Sequence, residues 1–139
     1  MNDEFNKIET LPKPLFQYPD EHKSAIDGDI TKFGDKYILS YVAHDVNGGI
    51  KMAYSSSPTG PWHFDTRWID FEPKACEAPH VFKRIGENKY VLMYDVYSIN
   101  PHNFGFIETS DFDTFNNLGR FNEGIMKTTN FKAPKHGAI

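Results

Sequence analysis

The amino-acid sequence predicts an all-β fold made of consecutive antiparallel, four-stranded propeller blades. Three observations carry this expectation. A unit of about 53 residues occurs twice, its apolar residues alternate with a period of two, and no stretch shows a helical apolar stripe with caps. The aromatic content points the same way: 12 Phe, 7 Tyr and 2 Trp make up 15% of the chain. Large flat side chains in that quantity suit a β-rich core, a sugar-stacking cleft, or both.

Residues 1–25, with Pro12, Pro14 and Pro19 close together, read as an irregular N-terminal segment, and residues 26–139 as the propeller domain. The first unit opens with Asp29-Ile-Thr-Lys-Phe, turns at Gly34-Asp35, and returns through Tyr37, Leu39 and Tyr41. A third strand is expected over Ile50 to Ser57, and Gly60-Pro61-Trp62 marks the approach to an outer strand. The second unit opens at Pro79, turns at Gly86-Glu87-Asn88, and returns through Tyr90, Leu92 and Tyr94, each 53 positions after its counterpart. Phe104 to Asp111 supplies its third strand and Asp113-Thr114-Phe115 precedes its fourth. The blades are therefore expected over roughly residues 26–75 and 78–125, with the closing His136-Gly137-Ala138-Ile139 beginning another. A plain β-sandwich with two similar hairpins is the competing fold, which the repeat disfavours. Two blades alone would leave apolar sheet faces open, so a homo-oligomer that covers them is expected.

Composition excludes several classes. The formal net charge is −4, the pI is near 5.8, and the 15 Lys and Arg residues are scattered, which argues against a nucleic-acid partner. A single cysteine, Cys76, precludes an intrachain disulfide and a cysteine-rich zinc site. It reads as a small buried residue, since no base partner for a nucleophile is evident. His22, His63, His80 and His102 show no metal-ligand spacing. The N-terminus lacks both a basic start and an apolar run, and no membrane span of eighteen or so apolar residues occurs. A cytoplasmic location and no membrane partner are expected. Trp62 reads as core, and Trp68 as either core or a sugar platform.

The candidate chemistry lies just before the innermost strands. Propellers direct these positions toward a central cleft, and here they carry Asp27-Gly28-Asp29 before Ile30 and Glu77-Ala78-Pro79 before His80. Either acid alone suits ordinary turn chemistry. Acids at what read as equivalent places in two blades suit glycoside hydrolysis, in which one carboxylic acid protonates the leaving oxygen while others set charge and activate water.

These segments resemble glycoside hydrolase family 43, five-bladed propeller enzymes acting on arabinan, xylan and related plant polysaccharides. Ala25-Ile-Asp-Gly-Asp-Ile30 is similar to that family's second-blade motif, and the resemblance makes Asp29 the acid that orients and tunes the general acid. Cys76-Glu-Ala-Pro-His-Val-Phe82 is similar to the third-blade motif, which makes Glu77 the general acid, with Ala78 where glycine is usual. Gly48 to Trp62 resembles the family's run ending in Thr-Gly-Pro-Trp, and Pro134-Lys-His-Gly137 its fourth-blade motif. The latter implies that His136 sits at the cleft floor near the sugar or an ion. The resemblance thus implies a partial five-bladed β-propeller, with two complete blades and part of the next. It implies an inverting hydrolase of arabinose- or xylose-containing carbohydrate that requires no cofactor, with calcium conceivable only near His136. The family's general base, an aspartate opening the first blade, has no evident motif before Ala25; Asp20 is the one tempting acid there. The alternative is an inactive truncated propeller that binds carbohydrate or self-associates.

Overall fold

A computed structural model describes residues 14–19, 23–44, 49–73 and 75–127. Among them the secondary structure is entirely β. In chain order the strands are β1 (Ala25–Phe33), β2 (Lys36–Ala43), β3 (Gly49–Ser55), β4 (His63–Phe64), β5 (Glu77–Lys83), β6 (Tyr90–Val96), β7 (Asn103–Thr109) and β8 (Asn116–Arg120). They form two four-stranded antiparallel sheets, β1-β2-β3-β4 and β5-β6-β7-β8, each a meander in sequence order. These are the two blades expected from the repeat. No helix among the described residues is long and apolar enough to cross a membrane.

The repeat is regular in the middle strands and slips at their neighbours. Leu39 pairs with Ile30 on one side and Ala53 on the other, while Leu92 pairs with Val81 and Ile107. The spacing between equivalent residues is therefore 53 for β2 and β6, 51 for β1 and β5, and 54 for β3 and β7. The turns account for the difference. Gly34-Asp35 closes β1-β2 as a two-residue hairpin, with Gly34 at φ 59°, a backbone that glycine adopts without a Cβ penalty. The β5-β6 turn is longer, closed by the Arg84 amide donating to the Lys89 carbonyl at 2.9 Å.

Period-two alternation sends each middle strand's side chains into two cores. Ile38 and Val42 of β2 join Ile50 and Met52 in the seam between blades, against Val81, Tyr90, Leu92, Tyr94, Val96 and Ile107. Phe33 completes this seam edge-on to Tyr90 and Phe112, with centroids 5.6 and 5.1 Å away. Leu39, Tyr41 and Ala43 face the opposite way and are covered by Phe16, Tyr18, Trp62 and Phe64. Trp62 is thus a core residue, whereas Trp68 is 42% exposed and lies beneath the Lys51 ammonium, 4.3 Å from its ring. In the second blade Val91, Met93, Phe104 and Phe106 turn from the seam and pack with Phe82, Leu118, Phe121 and Met126. The faces expected to be open are therefore buried. The chain segments flanking the blades, around Phe16 and Phe121, fold back over them.

Polar contacts tie the connection between blades to both sheets. Asp70 Oδ2 accepts from the Ile50 amide at 2.8 Å, and Arg120 donates to Glu72 at 2.6 Å. Arg67 bridges Asp65 and Asp113, at 2.6 and 2.9 Å, so the strap leaving the first blade grips the outer turn of the second.

Candidate active site

The two inner strands open with the same local device. β1 carries a register shift between Ile26 and Asp29, and β5 one between Glu77 and His80. In each, three residues of the inner strand span what two span on its partner, which is a β-bulge. Asp27 and Ala78 occupy the same place in the two bulges and share a left-handed backbone, with φ of 54° and 50°. The usual glycine of the third-blade motif has its physical reason here, since a non-glycine residue is strained at such an angle.

The bulges also revise which residues correspond. Glu77 pairs with Asp95 as Ile26 pairs with Val42, and His80 pairs with Met93 as Asp29 pairs with Ser40. Glu77 is thus the counterpart of Ile26, and Asp29 the counterpart of His80. The two acids are not at equivalent blade positions, as the repeat had suggested. The extra residue has a further effect. A three-residue step would place Glu77 and His80 on opposite faces of a regular strand, but the bulge returns them to one face.

The openings of β1 and β5 meet across the seam between the blades. Asp29 Oδ2 accepts from the Val81 amide at 2.9 Å, and His80 Nδ1 lies 3.4 Å from Asp29 Oδ1. Asp27 Oδ2 accepts from the Ala78 amide at 3.0 Å. Ser40 donates to the Asp29 carbonyl at 3.5 Å, anchoring the strand from behind. Asp29 and His80 keep side-chain exposures of 25% and 26%, so this pair is accessible without being fully solvated. Glu77 is half-buried, and Asp95, its partner across the ladder, is fully buried. The structure therefore brings Asp29 against the strand that opens with Glu77.

Other residues sort as follows. Cys76, next to Glu77, is fully buried and free. Burial, and then the nearby Asp70 and Glu72 carboxylates, push its thiol far above its ordinary value, so it is not poised as a thiolate nucleophile. His136 and Asp20 lie outside the described residues, as does the place near His136 where an ion was conceivable. Among the described residues no group of three or more His, Cys, Asp or Glu side chains is arranged to hold a metal. Sequence reasoning missed three contributors: Asp27 in its contact with Ala78, His80 as a partner of Asp29, and Asp95 across from Glu77. The signal for Asp95 was present, a lone acid inside the apolar run Tyr90-Val-Leu-Met-Tyr-Asp-Val96. The other two depend on contacts across about fifty residues of chain.

Comparison with known proteins gives this geometry a context. Solved structures share the fold. A family 117 glycoside hydrolase from Zobellia galactanivorans superposes with a TM-score of 0.60 at 18% identity, over 82% of this chain and 39% of that one. A glycosyl hydrolase from Bacteroides ovatus gives 0.59 at 15% identity, over 70% and 32%. The arabinanase Arb43A of Bacillus subtilis gives 0.56 at 18%, over 68% and 36%. The chain spans 32–39% of the length of these structures. No curated protein matches it. Residues 2–139, nearly the whole chain, match the family described as "Probable glycosyl hydrolase domain", whose members are related to glycoside hydrolase family 43. The chain belongs to this family of glycosyl hydrolase domains.

Proposed function

We propose that the chain is a glycoside hydrolase domain acting on arabinose- or xylose-containing plant polysaccharide or oligosaccharide by an inverting acid/base mechanism. Glu77 is the general acid, protonating the glycosidic oxygen as the bond breaks. Asp29 orients it and sets the local negative charge. The observation that carries this reading is the meeting of the two bulged strand openings, where Asp29 accepts from Val81 N, four residues beyond Glu77. His136, by its sequence motif, belongs to the same reading as a substrate-binding residue. Inversion needs a second carboxylate across the sugar with room for water, on the order of 6.5–9.5 Å from the acid. The anomer released first from an aryl arabinofuranoside or xyloside, followed by proton NMR, tests the mechanism. Inverted configuration is expected, and retention would overturn it.

A second reading is a domain that binds carbohydrate or self-associates without hydrolysing it. It is favoured by the accessible Asp29–His80 pair, whose carboxylate and imidazole can hydrogen-bond sugar hydroxyls without proton transfer. Calorimetric titration with arabino- and xylo-oligosaccharides separates the two when paired with the hydrolysis assay. Binding without turnover supports the second reading, and turnover the first.

A further inference from the structure

We propose that Asp27 is a positioning residue for Glu77, acting through the backbone of the second bulge. The proposal rests on the reading of Glu77 as a general acid. Ala78 and Pro79 are the residues that the bulge leaves out of the β5-β6 ladder, because Glu77 pairs with Asp95 and the next pair is His80 with Met93. The Ala78 amide lies within that unpaired step. Asp27 Oδ2, reaching across the seam from β1, accepts from it at 3.0 Å. That amide belongs to the peptide joining Glu77 to Ala78, so holding it fixes the plane from which the Glu77 side chain departs.

The neighbouring geometry makes this contact specific. Ala78 sits at φ 50°, a backbone that an L-residue leaves readily unless its surroundings hold it. Pro79 contributes no amide, and β1 takes hold at Ala78 N through Asp27 and at Val81 N through Asp29. The two aspartates thus divide the work. Asp29 accepts from the strand beyond Glu77 and also meets His80, whereas Asp27 secures the peptide next to Glu77 itself.

Two substitutions and a leaving-group series test this. Asp27→Ala removes the acceptor, and Asp27→Asn keeps an oxygen that can accept from the Ala78 amide. Hydrolysis of aryl arabinofuranosides or xylosides is measured across leaving groups from activated to poor. A misplaced general acid matters most where the leaving oxygen needs a proton, and such assistance is typically worth about 10²–10⁴-fold. The expected result for Asp27→Ala is a kcat loss of about 10- to 100-fold on the poorest leaving group. On the activated one the loss is a few-fold at most, with KM little changed. Asp27→Asn restores most of the loss. Equal losses across the series, or no rescue by asparagine, overturn the proposal. Hydrogen exchange at the Ala78 amide, read by NMR, supplies a measure independent of turnover. It should lose protection in Asp27→Ala and keep it in Asp27→Asn. Unchanged protection in Asp27→Ala contradicts the proposal directly. Hydrolysis that does not depend on Glu77, alongside the expected loss of protection, removes the catalytic reading while leaving the contact intact.

Discussion

Ala78, next to Glu77, is held in a left-handed backbone. Its φ of 50° is imposed by the bulge, and glycine would adopt it without a Cβ penalty. Ala78→Gly is therefore expected to stabilise the fold by about 0.5–1 kcal/mol in denaturant unfolding, a sign opposite to that of glycine in a regular strand. A destabilisation of that size would show that the bulge is not held as described. Glu108 gives a pH dependence. Hydrogen bonds from Lys89 and Arg84, each 2.7 Å, hold this buried carboxyl below its ordinary range. Because its folded value is depressed, the stability it contributes is present above about pH 4.3, its unfolded value, and is lost as pH falls through the folded value. Glu108→Gln should lower stability at pH 7 by about 1–2 kcal/mol, kept small by its partly solvated cations. The gap should close on acidification below about pH 4, and a gap independent of pH would contradict the assignment. At this scale Glu77 and Asp29 could be picked from the sequence because their motifs are local. Asp27 and His80 could not be given partners, since those are set by a seam joining residues about fifty positions apart.

Within the elements, the close approach of β6 and β7 turns on one glycine. A Cβ at Gly105 would run into the ring of Tyr94, which lies directly opposite it in the ladder. The ring occupies the space that a side chain on β7 would need, while in the first blade Tyr41 faces Lys51 at the corresponding pair. Gly105→Ala should thus overpack the seam and cost about 1–3 kcal/mol, measured as a shift in the urea midpoint. A neutral effect would mean that the tyrosine has room to move. The strands were legible because both middle strands repeat Lys-Tyr-apolar-Leu around a hairpin, and period two sorts their side chains between two cores. The bulges were not legible as geometry. The differing hairpin lengths shift the inner strands relative to the middle ones by two residues, and matching the residues just before Ile30 and His80 sets Asp27 against Glu77, one position off the ladder, in which Ile26 is the counterpart of Glu77. The Pro79 that follows Ala78, with Gly28 in its place in the first blade, was the only local hint of irregular pairing.

For the whole molecule, the seam is the chief apolar body, and the two outer faces are closed by flanking chain. What stays exposed is scattered: Leu15 and, within β1, Ile26, at 39% and 40%, Ile125 at the far flank, at 71%, and Tyr54, Trp68, Phe71 and Ile85 elsewhere on the surface. Leu15 and Ile26 help line a groove of about 310 Å³ together with Phe16, Ile30 and Tyr41. With the blade faces covered, the homo-oligomer expected from the sequence would have to meet through these flanks instead, and we propose that it is weak. Light scattering across micromolar concentrations should show mass rising above 16.0 kDa with concentration, and a constant 16.0 kDa would contradict it. In the proposed function, the bulged openings of two adjacent blades present Glu77 as an acid. The most direct test compares the wild-type chain with Glu77→Gln for hydrolysis of a poor-leaving-group arabinofuranoside or xyloside, with circular dichroism verifying that both are folded. A fall of at least about 100-fold in kcat/KM is expected. Hydrolysis that survives the substitution unchanged would contradict it.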